Sequence, residues 1–129
     1  MARCFTVADV MARAVTASAT SGLEVSWLVD WGSEEGAHAA NREAERTRIT
    51  CQVYRPGGSH ARHQHESIEQ TYYVLSGQGR VHIADEVHDV GPDAMVFIPV
   101  KVDHWIENTG DADLVHLLIN VNLGPGKPG

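Results

Sequence analysis

Cysteine is scarce in this chain: Cys4 and Cys51 are the two among 129 residues. Two thiols make no disulfide framework, and their spacing fits no zinc motif. Both read as free thiols of a reducing, cytoplasmic compartment, with Cys51 buried in a strand. Basic residues are also few. Ten Lys plus Arg stand against seventeen Asp plus Glu, a formal net charge of −7 with His neutral. That balance excludes the basic face a nucleic-acid partner needs. No apolar run approaches the roughly 20 residues of a membrane span, so no membrane partner is expected. Segment 1–15 carries Arg3, Asp9 and Arg13 and lacks the apolar stretch of a secretory signal. There is no internal repeat. The length suits one domain that buries roughly two thirds of its unfolded surface. Such a domain needs neither a disulfide nor a structural metal in order to fold. Histidine, by contrast, is plentiful: eight residues, nearly as many as Lys and Arg together.

Along the chain, Thr6-Val7-Ala8-Asp9 reads as a capping box that opens a short helix through about Val15. Leu23 to Val29 is apolar and β-prone, a strand. Asp30 to Glu45 is charged, holds Gly32 and Gly36, and has no clear period. It reads as a long loop, and loops of this length inside compact domains are often functional. From Arg46 the pattern changes to short period-two runs broken by turn residues. Strands are expected over 48–55, 69–76, 80–83, 87–90, 94–98, 102–107 and 113–121, with Gly77-Gln78-Gly79 as a tight hairpin. Three segments result: an arm of helix, strand and loop at 1–45, an all-β barrel or sandwich at 46–121, and a disordered Gly/Pro tail at 122–129.

The sharpest feature is Gly57-Gly58-Ser59-His60-Ala61-Arg62-His63-Gln64-His65. On a strand, His63 and His65 point to one face and can reach one ion. On this spacing alone, a solvated polar strand explains them equally well. The wider pattern runs Gly57-x5-His63-x-His65-x4-Gln70-x6-Gly77, then Asp93-x5-Pro99-x4-His104-x3-Asn108. It resembles the two-part signature of the cupin superfamily over about residues 48–121. The resemblance implies a cupin jelly-roll, with His63, His65, Gln70 and His104 around a single divalent transition ion (Zn, Fe, Ni, Mn, Co or Cu). It also implies a small-molecule substrate and a homodimer, for which the strand Leu23–Val29 has no obvious place in one minimal barrel.

Two departures stand out. Asp93 and Lys101 replace the glycines of the second motif, both in turns. Gln70 stands where the family has a Glu ligand, while Glu69 offers a competing register. Strand alternation puts Gln70, Tyr72 and Val74 on one face and Glu69, Thr71 and Tyr73 on the other, which favours Gln70. An amide in place of a carboxylate leaves the ion's charge uncompensated and makes it a stronger Lewis acid.

His82 and His116 alternate with apolar neighbours. If those neighbours face an outer layer, both imidazoles line the lumen as proton-transfer groups, together with Tyr72; otherwise they are satisfied core or rim residues. His60 has the parity opposite to His63 and reads as surface, as does His88. Glu66 reads as a rim carboxylate. Met95 or Phe97 is expected to wall the pocket, Trp105 to point away from the metal, and Trp27 and Trp31 to pack in the arm or over a partner subunit. Three functions stay open. One is Lewis-acid isomerisation, cyclisation, ring opening or elimination on an oxygenated metabolite. The second is an iron or copper dioxygenase built on the three His. The third is a non-catalytic metal- or ligand-binding module.

Overall fold

The computed structural model describes residues 2–13, 15–18 and 22–125. Among these residues one short helix, α1 (Val7–Met11), is followed by nine strands: β1 (Val15–Ser18), β2 (Leu23–Val29), β3 (Thr47–Tyr54), β4 (Ile68–Ser76), β5 (Gly79–Ile83), β6 (Glu86–Val90), β7 (Met95–Ile98), β8 (His104–Asn108) and β9 (Leu114–Asn122). They form an antiparallel sandwich. The large sheet runs β1-β2-β3-β9-β4-β7 and the small one β6-β5-β8. Among the described residues the two sheets are separate ladders, so the molecule is the sandwich form of the expected architecture and not a closed barrel. No helix among these residues is long and apolar enough to cross a membrane.

Thr6 opens α1 as expected, its Oγ1 accepting from the Asp9 N–H at 3.1 Å. The helix ends at Met11 rather than near Val15. The β-branched pair Val15-Thr16 instead lies in β1, opposite Val25 and Glu24. The expected arm is therefore continuous with the large sheet, since β2 pairs with β3 along its whole length. Leu23–Val29 has its place within this chain, which removes the argument for a dimer that rested on it. At the other end β9 runs to Asn122, where a tail was expected to begin; residues 126–129 of that tail lie outside the described residues.

Between the sheets lies one apolar core, including Val25, Tyr54, Tyr72, Val74, Val81, Ile98, Ile106 and Leu114. A smaller cluster of Val10, Leu28 and Cys51 seals α1 onto the outer face of the large sheet. Cys4 is exposed, and burial pushes the Cys51 thiol up to about 11, leaving it an inert hydrophobe.

Turns explain the motif positions. Gly77 has φ +89°, and a Cβ there would lie 2.3 Å from the Asp113 carbonyl oxygen, so only glycine closes this hairpin. Asp93 and Lys101 adopt φ +73° and +61°. Their turns thus keep the left-handed backbone that favours glycine, at a cost on the order of 1 kcal/mol each. Tyr73 donates its hydroxyl to Asp93 Oδ1 at 2.6 Å, and the Lys101 N–H reaches the His65 carbonyl at 2.7 Å. Asn108 ends the motif because it staples two segments. Its Nδ2 donates to the carbonyls of Tyr54 and Ala112, each at 2.8 Å, and its Oδ1 accepts from Gly110 N–H at 2.9 Å.

Candidate metal centre

His63 and His65 lie on the irregular segment between β3 and β4, outside any strand. A local bridge to the start of β8 aligns them: the His63 N–H donates to the His104 carbonyl at 3.1 Å and the His104 N–H returns to the His63 carbonyl at 2.9 Å. The three imidazoles converge. Their centroids are 4.2 Å (His63–His104), 4.9 Å (His63–His65) and 5.4 Å (His65–His104) apart. One nitrogen of each lies within 4.8 Å of the others.

The hydrogen bonds choose the tautomer. His63 Nδ1 lies 2.6 Å from the Ala61 carbonyl oxygen and His104 Nδ1 2.9 Å from that of Val102. A carbonyl only accepts, so both Nδ1 atoms carry protons and both Nε2 atoms present lone pairs. His65 Nε2 and His104 Nε2 are buried without a partner among the described residues. Burial, reinforced by the neighbouring imidazoles, pushes His63 down to about 4. Burial lowers His65 and His104 as well. All three are neutral at pH 7, the state a metal requires. Bared lone pairs, oriented by backbone carbonyls, are a donor set that fits a transition ion.

Gln70 fits the same description. It is buried and faces inward, while Glu69 is half-buried on the other face of β4, opposite Val121. Asn120 Nδ2 donates to the Arg48 carbonyl at 3.4 Å, so its Oδ1 faces Gln70 and accepts from Gln70 Nε2 at 2.7 Å. That contact fixes the amide and leaves Gln70 Oε1 buried and without a partner among the described residues. Gln70 lines the same cavity as His63 and His65. Glu66 is exposed.

This cavity has a volume of about 500 Å³ and opens to solvent. Tyr72 forms part of its wall, and burial raises its phenol far above the ordinary value. His116 lies beneath it, fully buried, with its ring centroid 4.9 Å from Tyr72 and 5.8 Å from Tyr54. Burial pushes His116 down to about 4. Its Nδ1 lies 3.1 Å from the Leu117 carbonyl oxygen, and its Nε2 is buried without a partner among the described residues.

His82 does not line the lumen. On β5 the buried residues are Gly79, Val81 and Ile83, so His82 faces outward, stacked on Trp105 at 3.6 Å with Glu107 3.8 Å away. Apolar neighbours on both sides fit either parity, and the sandwich selects the one that buries valine and isoleucine. Met95 and Phe97 are likewise exposed on the outer face of β7, while Val96 and Ile98 point inward.

Several cavity residues escaped the sequence reading. His60 lines the cavity, its ring 4.4 Å from that of His63. Strand parity puts it opposite His63, but parity does not apply here because this segment forms no strand. Trp27 and Trp31 wall this chain's own cavity, with the Arg48 guanidinium 5.0 Å and 4.1 Å from their ring centroids. Arg48 Nε donates to the fully buried Asp30 carboxylate at 2.8 Å, and Nη2 to Ser33 Oγ at 2.7 Å. Burial drives Asp30 upward, but hydrogen bonds from Arg48 and Ser33 outweigh it and hold the carboxyl below the ordinary range.

Residues 50–120 match the family model described as "Cupin domain". The chain is 32% identical over 95 residues to the "Oxalate-binding protein" of Thermotoga maritima, covering 71% of this chain and 78% of that one. Other curated relatives are spanned over about half of their length. A crystal structure from Thermotoga maritima, described as a predicted oxalate decarboxylase, superposes with TM-score 0.65 at 28% identity, over 78% of this chain and 81% of the other. An uncharacterised conserved Klebsiella pneumoniae protein with a double-stranded β-helix domain gives TM-score 0.71 at 16% identity, over 98% and 95% of the two chains, a likeness of fold alone.

Proposed function

Because the chain belongs to the cupin domain family, we propose that it is a metal-dependent enzyme acting on a small oxygenated metabolite by isomerisation, cyclisation, ring opening or elimination. The observation that carries this reading is the convergence of three neutral imidazoles. Backbone carbonyls lock the Nδ1 protons of His63 and His104, and the buried Nε2 atoms of His65 and His104 have no partner among the described residues. His63, His65 and His104, joined by the Gln70 carbonyl oxygen, would hold one divalent transition ion. Held by four neutral donors, such an ion supplies Lewis-acid polarisation of a substrate carbonyl or hydroxyl.

The chain's own residues do the rest. Tyr72, with its phenol raised by burial, keeps its proton at neutral pH and donates to oxygen in the cavity. His116, neutral and packed at a tilt against Tyr72, positions that ring. Asn120 orients Gln70. A substrate seated against the apolar wall would displace water and strengthen each of these contacts. His82 lies on the outer face and has no part in this scheme.

The 32% identity to a protein named for oxalate binding favours a second reading, a binding module without catalysis. In either reading the protein is cytoplasmic, with both thiols free, and the homodimer that the resemblance implies belongs to the same proposal. A monomeric mass by light scattering removes the dimer.

Metal content tests the core of the proposal. The purified protein should bind one Co(II) or Zn(II) per chain by elemental analysis, and His63→Ala and His104→Ala should each reduce the affinity at least hundredfold. Unchanged metal content in both variants would refute it.

A further inference from the structure

The cavity's charge and lining select its occupant. Beyond the imidazoles, Arg48 and Glu35 are its charged lining residues among those described. Arg48 is already engaged. Its Nε meets buried Asp30, its Nη2 meets Ser33, and its planar face covers Trp31. Glu35 lies 3.5 Å from Arg48 Nη1 and adds a further negative charge. A dianion would therefore find no uncompensated cation away from the imidazole end. The remaining wall is mostly apolar, with the planar rings of Trp27, Tyr54 and Tyr72 beside Val25, Ile68 and Leu118, and with Thr50, Gln52 and Asn120 as its polar residues besides Gln70. Its volume of about 500 Å³ lies in the range that encloses drug-sized ligands. An ion as small as oxalate would leave most of it unfilled.

We infer that the occupant is a planar, apolar-bodied hydroxy or oxo compound without a distal charge. Its ring packs against Trp27 and Leu118, and a chelating oxygen pair points to the imidazole end. This inference rests on the metal-centre reading above and extends it to the substrate class.

Two chelators separate the possibilities by calorimetry on the Zn-loaded protein: 2,3-dihydroxynaphthalene, which has an apolar body, and oxalate, which has none. The diol should bind at least tenfold tighter. Trp27→Ala should weaken the diol at least fivefold and leave oxalate within twofold, and Leu118→Gln should do the same. The second variant keeps the test sound if the first disturbs folding, which circular dichroism reads. Oxalate binding as tightly as the diol, or both variants leaving the diol unchanged, would overturn the inference, with the metal centre untouched. If His63→Ala retains full zinc, the metal centre itself falls, and the inference with it.

Discussion

His116 makes the fold acid-sensitive in a calculable way. The ring is completely enclosed, between Tyr54 and Tyr72, and burial lowers its pKa from 6.5 to about 4. The unfolded chain takes up a proton near 6.5, while the folded protein refuses it until about pH 4. Stability is therefore complete above pH 6.5, falls as pH drops through the window from 6.5 to 4, and levels off below it. That depression, at about 1.4 kcal/mol per pH unit, amounts to about 3 kcal/mol. Other groups titrate over the same range, so the His116 share must be isolated. His116→Phe keeps a flat ring between the two tyrosines and removes the proton site. Urea unfolding of chelator-treated protein at pH 7.5 and pH 4 gives two stability losses. The wild type should lose about 3 kcal/mol more than the variant. Parallel losses, within about 0.5 kcal/mol, would refute the assignment of this proton linkage to His116.

Asn108→Ala should destabilise by about 2–4 kcal/mol, because it removes the bonds to the buried Tyr54 carbonyl, the Ala112 carbonyl and the Gly110 N–H at once; a chemical-denaturation midpoint checks it. Arg48→Met should cost about 3–5 kcal/mol at neutral pH by stranding the buried Asp30 carboxylate. Asp30→Asn in the same chain should return most of that loss, read by the same midpoint.

Much of this molecule was visible in residue pattern alone. Seven of the β-strands follow from period-two runs between Gly, Pro, Asn and Asp, because one buried face imposes alternation. The choice of Gln70 over Glu69 as the inward residue follows from that same alternation, anchored at the Gly77 hairpin. Pattern failed where alternation does not apply. Residues 59–65 form no strand, so parity misjudged His60, although it lies beside His63. It also failed where alternation has two solutions: Val81 and Ile83 flank His82 symmetrically, and only the facing sheet shows which side is dry. The Trp27–Trp31–Arg48 wall joins residues far apart in sequence, and no local rule announces a guanidinium stacked on two indoles. The N-terminal Val15–Ser18 strand follows a short helix within a sequence rich in Ala, Ser and Thr, where propensity is too weak to set a boundary.

The division of labour around the cavity has a practical consequence. The imidazoles come from the segment before β4 and from β8, whereas the outer wall comes from β2 and the loop that follows it, fastened by Asp30 to Arg48. Gly36 lies so near the Asp30 carboxylate that a Cβ would approach to 2.3 Å, so the fastening is compact and local. The imidazoles and the indole part of the wall thus occupy separable stretches of one chain. Residues 23–48 form a cassette: transplanted with their clasp onto another sandwich of this kind, they would carry a binding preference while the recipient kept its own metal.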